Sequence, residues 1–354
     1  MAKRQHENWK GDLKETLDKH NGQHATRKKV VSHRSGEARA DGLFRMFGQL
    51  WQMGLKVMPR NLGERHVRAL VSHWIADPEF ARELEQRNAK LKPRTVPLSA
   101  AYIQQQLSFL RTFAGWIGKP GLVRPAEAYA PAELVRRELC ATRDRTFSGN
   151  GVDKAAVLEK VTAYDEYVGV QLEVMIAFGL RRKEAVMFDP RLAEVPAHAL
   201  PASAGDTPYL AFLRIKRGTK GGRLRFTAIR NEDQRVALAK AKALARHHGH
   251  IGRPGLTLKQ ALRRFSDVLR AVGVTRRELG VTPHGLRHDF AADLYLEIAK
   301  VEPPIRGGSI DAHTMNTAYL EVARQLGHGR PGISGAYLGT RKKPRESDDA
   351  DDPS

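Results

Sequence analysis

Six residues in the second half of this 354-residue chain are of the types, and in the settings, that would let it do chemistry on a phosphate ester. Arg181 lies in Gly179-Leu180-Arg181-Arg182-Lys183-Glu184, where a strongly apolar run abruptly presents a guanidinium. Its fork of N–H groups can hold a phosphate in a way lysine cannot, although in isolation an ion pair with a carboxylate such as Glu184 is the commoner explanation. Lys220 lies in Gly218-Thr219-Lys220-Gly221-Gly222-Arg223. A lysine on such a turn can reach into a DNA groove and protonate a leaving oxygen, but most basic turn residues are merely solvated. His284 and Arg287, in Thr282-Pro283-His284-Gly285-Leu286-Arg287-His288, fall one helical turn apart, so an imidazole and a guanidinium can converge on one anion. Finally, Leu326-Gly327-His328 is followed nine residues on by Tyr337. A lone tyrosine is an ordinary aromatic; held beside guanidiniums and imidazoles, its hydroxyl becomes a nucleophile.

Metal chemistry is the rival for the histidines. His284 and His288 are four apart, yet Gly285 stands where a His-Glu-x-x-His zinc motif needs glutamate, so no metal ligand is assigned. His247, His248 and His250 end an Ala/Lys/Arg-rich helix and read as a solvated terminus. The single Cys140 excludes an internal disulfide and a cysteine-rich zinc module. No Gly-x4-Gly-Lys-Ser/Thr loop is present, so no nucleotide cofactor is expected.

The elements that must position these residues are mostly helical. Residues 1–40 are polar and basic, with Arg27-Lys28-Lys29 in a row, and read as a flexible arm. From 41 to 140 apolar residues recur at helical spacing: Leu43, Phe47, Leu50 and Val57, then Val67, Leu70, Val71 and Trp74, then Ile103, Leu107, Leu110, Phe113 and Ile117 behind Ser99 as N-cap. These predict a helical domain, with a polar connection near Ser148-Gly149-Asn150-Gly151. A second domain, 152–340, opens with one long helical pattern from Ala155 through Leu180 to Phe188, ended by Asp189-Pro190. Tyr209–Ile215 and Arg223–Thr227 then predict a β-hairpin with a basic outer face, followed by helices over about 231–245, 257–272 and 283–299. Pro303–Gly308 is a break, and 341–354 a charged tail.

Composition narrows the partner. Lys and Arg number 60 against 39 Asp and Glu, a net charge of +21 that favours a polyanion. The most apolar stretch, Val168–Leu180, is too short to span a bilayer and contains Gln171 and Glu173, so no membrane role is expected. The charged first residues lead into no apolar segment, so a cytoplasmic location is expected.

Taken in order, Gly-Leu-Arg-x-x-Glu, a hairpin lysine, His-x-Leu-Arg-His, and Leu-Gly-His with a tyrosine nine residues on resemble the tyrosine site-specific recombinases, the phage-integrase and Xer-type family, over about Ala155–Thr340. The resemblance implies an α+β fold, mainly α with a small β-hairpin or sheet, arranged as a two-domain DNA clamp: a helical core-binding domain and a catalytic domain. It implies Arg181 as first catalytic arginine, Lys220 as hairpin lysine, His284 and Arg287 as central pair, His328 as the third-box histidine and Tyr337 as nucleophile. Lys220 is preferred to Lys216 for its distance before Thr227-Ala228-Ile229, where Ala228 replaces the family's common proline. DNA would be cut and rejoined through a 3′-phosphotyrosyl link without metal or ATP. The expected partner is double-stranded DNA carrying specific sites, with four protomers in the synapse, room for an accessory directionality factor, and a nucleoid-associated location. A type IB topoisomerase-like strand transferase, a non-catalytic DNA-binding protein and a metal-dependent nuclease are the alternatives. The interval from Arg287 to His328 is longer than a compact family member needs. The excess, Val301–Thr317, reads as an insertion facing away from DNA or an extended loop.

Overall fold

The computed structural model describes residues 8–23, 30–201, 207–328 and 330–340. The basic run 27–29 and the charged tail 341–354 lie outside these residues. The chain divides into two compact units, Met1–Glu138 and Leu139–Ser354.

The first unit is helical: α1 (Trp9–His20), α2 (His33–Gln52), α3 (Glu64–Trp74), α4 (Pro78–Gln86), α5 (Ala100–Trp116) and the short α6 (Ala132–Val135). The apolar stripes face one core, in which Leu43, Phe47, Leu50, Val67, Leu70, Trp74, Ile103, Leu107, Leu110 and Phe113 are buried. Ser99 caps α5 by accepting from the Tyr102 N–H at 3.3 Å. The expected arm differs. Residues 9–20 are a helix capped by Asn8, with Leu13 and Leu17 in that core and Trp9 packed on Phe44, Phe47 and Trp51. Burying Leu13 and Leu17 contributes roughly 1.5–3 kcal/mol each, enough to hold an otherwise charged segment. Helix α2 likewise starts early, where Ser32 accepts from the Ser35 N–H.

The second unit is built around α8 (Glu166–Phe178), whose Val168, Leu172, Val174, Met175 and Phe178 are all buried. Around it lie α7 (Lys154–Tyr164), α10 (Glu232–Leu244) and α12 (Gly285–Ala299), while α9 (Arg182–Val186) and α11 (Leu258–Ala271) complete the main core. The single long helix expected from Ala155 to Phe188 is three. Asp165 leaves helical geometry and caps α8 through the Val168 N–H at 3.2 Å, its buried carboxylate also paired with Arg253 and Arg264. Gly179, at φ +58°, ends α8 in the left-handed region.

The sheet has three antiparallel strands, β1 (Glu194–Pro196), β2 (Ala211–Ile215) and β3 (Arg225–Ala228), in that order. Strand β1 falls in a stretch whose Pro/Ala/Gly content masks it. The free edge of β3 is covered by α13 (Ala312–Gln325): the Gln325 carbonyl accepts from Thr227 Oγ1 at 2.8 Å, and its side-chain oxygen from the Ala228 N–H at 3.2 Å. The hairpin's period of two is as expected, but its basic face is not wholly outward. Arg225 lies opposite Ile215 and is 4% exposed, whereas Leu224 is 42% exposed. A second apolar cluster joins α12, α13 and the short α14 (Gly335–Leu338) through Leu294, Tyr295, Tyr319, Val322 and Leu338. The extra segment 301–317 folds as a turn at Pro304–Arg306 and the start of α13.

Candidate active site

Tyr337 sits on α14, and three contacts hold that short helix. Tyr319 Oη donates to the Gly339 carbonyl at 2.9 Å, Ser334 Oγ donates to the Tyr319 carbonyl at 2.7 Å, and the Ala141 N–H donates to the Gly335 carbonyl at 2.8 Å. Tyr337 is buried, 8% exposed, and its hydroxyl lies 3.2 Å from Arg287 Nε and 3.0 Å from His328 Nε2.

Arg287 is fully buried on α12 and each nitrogen of its guanidinium has a partner. Besides Tyr337, it donates through Nη1 to the Gly179 carbonyl and through Nη2 to the Leu326 carbonyl, both at 2.5 Å, and Nη2 lies 3.4 Å from His328 Nε2. Those carbonyls end α8 and α13, so Arg287 joins three helices at the point where Tyr337 approaches. Burial lowers its pKa to about 10, which leaves it charged at neutral pH.

Glu184 lies beneath this arginine, wholly buried. It accepts from the Arg181 N–H at 2.8 Å, from Arg181 Nη1 at 2.7 Å and from Arg225 Nη2 at 2.8 Å, with Arg287 Nη1 at 4.0 Å. Burial alone would raise its pKa. Arg225, Arg287, the Arg181 N–H and the Arg181 charge together overcome that and bring it down to about 2. The carboxylate is therefore ionised, and orients three guanidiniums toward one place. The ion pair of Arg181 with Glu184 and a phosphate-binding role are thus compatible, because the Arg181 side chain remains 25% exposed.

His284, at the N-terminal end of α12, and His328, after α13, are both held neutral, with pKa values lowered to about 4 by burial first and then by the charges of Arg287 and Arg181. His288 is buried, its ring centroid 4.8 Å from that of Tyr337. His284 and His288 stand edge to face with centroids 5.4 Å apart.

The structure thus brings Arg181, His284, Arg287, His328 and Tyr337 together. Lys220 stands apart, exposed on the hairpin turn with no hydrogen bond or ion pair among the described residues. The turn is nonetheless anchored to α9. A Cβ at Gly218 would lie 2.6 Å from the Lys183 carbonyl oxygen, which is why glycine, at φ +75°, is needed there. Sequence reasoning missed Arg225, and saw Glu184 only as a partner of Arg181. The signal for Arg225 was its parity with Thr227, since both point to one face of β3 and Thr227 is buried.

One guanidinium, Arg287, and one neutral imidazole, His328, thus meet at the Tyr337 hydroxyl, with Glu184 and Arg181 behind Arg287 and the His284 ring centroid 6.2 Å from that of Tyr337. Residues 136–293 match the family model described as Integrase, and no curated protein matches in sequence. Among solved structures, a lambda integrase tetramer bound to a Holliday junction is similar at TM-score 0.50 and 13% identity, over 93% of this chain and 79% of that one. A lambda integrase dimer bound to a COC′ core site gives 0.49 and 14%, over 98% and 85%. XerH site-specific recombinase bound to difH substrate, in a pre-cleavage complex, gives 0.45 and 14%, over 86% and 75%. Residues 136–293 thus form an integrase domain, and the fold is shared with lambda integrase. No helix among the described residues is long and apolar enough to cross a membrane.

Proposed function

We propose that the Tyr337 hydroxyl attacks a scissile phosphodiester of duplex DNA, forming a 3′-phosphotyrosyl link and releasing a 5′ hydroxyl. The observation that carries this reading is the Tyr337 oxygen itself, within hydrogen-bonding distance of both Arg287 and His328. As the phosphorus becomes five-coordinate, Arg181 and Arg287 stabilise the charge on its non-bridging oxygens. Glu184 holds both in place beforehand, so little reorganisation accompanies the step. His284, neutral at pH 7, accepts the phenol proton as general base or hydrogen-bond partner. His328 donates to a phosphoryl oxygen. Lys220, whose side chain has no hydrogen bond or ion pair among the described residues, protonates the departing 5′ oxygen. The phosphotyrosyl bond keeps the energy of the phosphodiester, so a second DNA end reverses the chemistry with no ATP or metal in any of these steps.

In this reading the first unit is a core-binding domain, 152–340 is the catalytic domain, and double-stranded DNA with specific sites is the substrate, in the cytoplasm at the nucleoid. Four protomers assemble on two sites, and an accessory directionality factor would set the direction of exchange. The test is a suicide duplex carrying the recombination site, incubated in the presence of a chelator and resolved on a denaturing gel. A covalent adduct that disappears in Tyr337→Phe is expected. Absence of adduct, or its persistence in that variant, refutes the nucleophile assignment.

A further inference from the structure

The turn at 144–150 is bonded more heavily than a connector requires. The Phe147 and Ser148 N–H groups donate to the Asp289 carboxylate at 2.7 and 3.2 Å, and Ser148 Oγ donates to it at 2.8 Å. Asp289 is 2% exposed and lies two residues past Arg287 on α12, so the turn is fastened directly to the catalytic helix. Arg306, from the extra segment before α13, closes the other side. Its Nε donates to Asp144 at 2.8 Å, and its Nη2 to Thr146 Oγ1 at 2.9 Å and Ser148 Oγ at 2.7 Å.

Arg145 sits within this fastened turn. Its carbonyl presses on the start of α12, where a Cβ at Gly285 would lie 2.5 Å from it, one residue from His284. Its side chain is exposed and makes no hydrogen bond or ion pair among the described residues. Arg181, Arg225, Arg287 and Arg306 nearby all have carboxylate partners. Burial is the largest cause of the lowered pKa values of His284 and His288, and the Arg145 charge reaches both and adds to it. An unpartnered guanidinium carried on a fastened turn beside an already cationic site is unfavourable in the free protein and becomes favourable when a polyanion arrives.

We propose that Arg145 binds a DNA phosphate flanking the scissile one, with Asp289 and Arg306 as positioning residues that hold its turn against the catalytic helix. This rests on the strand-transfer reading above and adds a substrate contact to it. It also gives the extra segment a role, because Arg306 comes from it.

The test uses full-length wild type, Arg145→Gln and Arg145→Lys on suicide duplexes, each carrying one neutral methylphosphonate near the cleavage site. Because the Arg145 side chain is exposed, Arg145→Gln should melt as wild type does. In unmodified DNA it should weaken binding roughly tenfold or more and reduce the slope of log K against log salt by about 0.9, one phosphate contact; Arg145→Lys should restore the slope. At one flanking position the methylphosphonate should weaken wild type but not Arg145→Gln, and Arg306→Gln should diminish that coupling. If every methylphosphonate weakens wild type and Arg145→Gln equally, the proposal is wrong. Wild-type adduct formation, scored on the same gels, separates that failure from failure of the strand-transfer reading.

Discussion

Replacing Glu184 by glutamine removes one charge and almost no volume, at the position where three guanidiniums meet. Ionised Glu184 is favoured in the folded state by the lowering of its pKa from 4.5 to about 2, a linkage of roughly 3 kcal/mol. The cost of leaving a buried guanidinium unpaired, as Arg225 would be, is of the same order, about 3–5 kcal/mol. For a folding unit of this size such a loss lowers Tm by about 6–12 °C. The sign follows from the depressed pKa. The stabilisation is fully present above pH 4.5 and is lost as pH falls from there toward 2. The two units can be followed separately, because all four tryptophans, Trp9, Trp51, Trp74 and Trp116, lie in the first. Tryptophan fluorescence therefore reports the first unit, while circular dichroism and calorimetry also report the second. Glu184→Gln should lower the second-unit transition at neutral pH and leave the fluorescence transition in place, and the gap to wild type should close in acid. A loss under about 1 kcal/mol at pH 7, or a gap that does not narrow in acid, would refute the reasoning.

The same folded unit offers further tests. His288 is neutral when buried, its pKa lowered to about 4 by burial first and then by His284 and Arg145. It therefore contributes stability above its ordinary value of 6.5 that is lost as pH falls through that window. Urea midpoints of His288→Gln should be flatter than wild type across it, and an equal slope would count against the assignment. Gly327→Ala forces an L residue to φ +69° with its Cβ 2.6 Å from the Arg225 side chain. It should cost about 2–4 kcal/mol in equilibrium unfolding and displace His328 enough to depress adduct formation. Lys220→Ala should slow cleavage roughly 10²–10⁴-fold, but have little effect on a duplex whose bridging 5′ oxygen is replaced by sulfur, a leaving group that needs no proton. Lys216→Ala should behave as wild type in both, and the reverse pattern would transfer the role. Leu17→Ala should cost about 2–5 kcal/mol, read by tryptophan fluorescence, if α1 belongs to the first core.

Much of the candidate site was legible because its members are marked by local setting. A guanidinium ending an apolar run, two residues one turn apart behind Pro283, and a tyrosine at a set distance from Leu-Gly-His are properties of a line of residues. The helical stripes of α2, α3 and α5 were legible for the same reason. The misses have physical causes. Trp9, Leu13 and Leu17 recur every four residues, but abundant charge hid that stripe until a neighbouring core was there to receive it. Asp165 breaks an apolar run without interrupting its pattern, because one carboxylate caps α8 and binds two distant arginines. Alternation along β3 indicated two faces, yet only the pairing of Arg225 opposite Ile215 decided which was inside. The amino-acid sequence by itself determined which guanidiniums, imidazoles and hydroxyl were candidates for the site and roughly which elements carry them. Tertiary structure alone decided that Glu184 binds Arg225, 41 residues away, and that Asp289 holds Phe147, 142 residues away. Such pairings form only where folding brings distant charges and backbone donors together out of water, where each must find a partner.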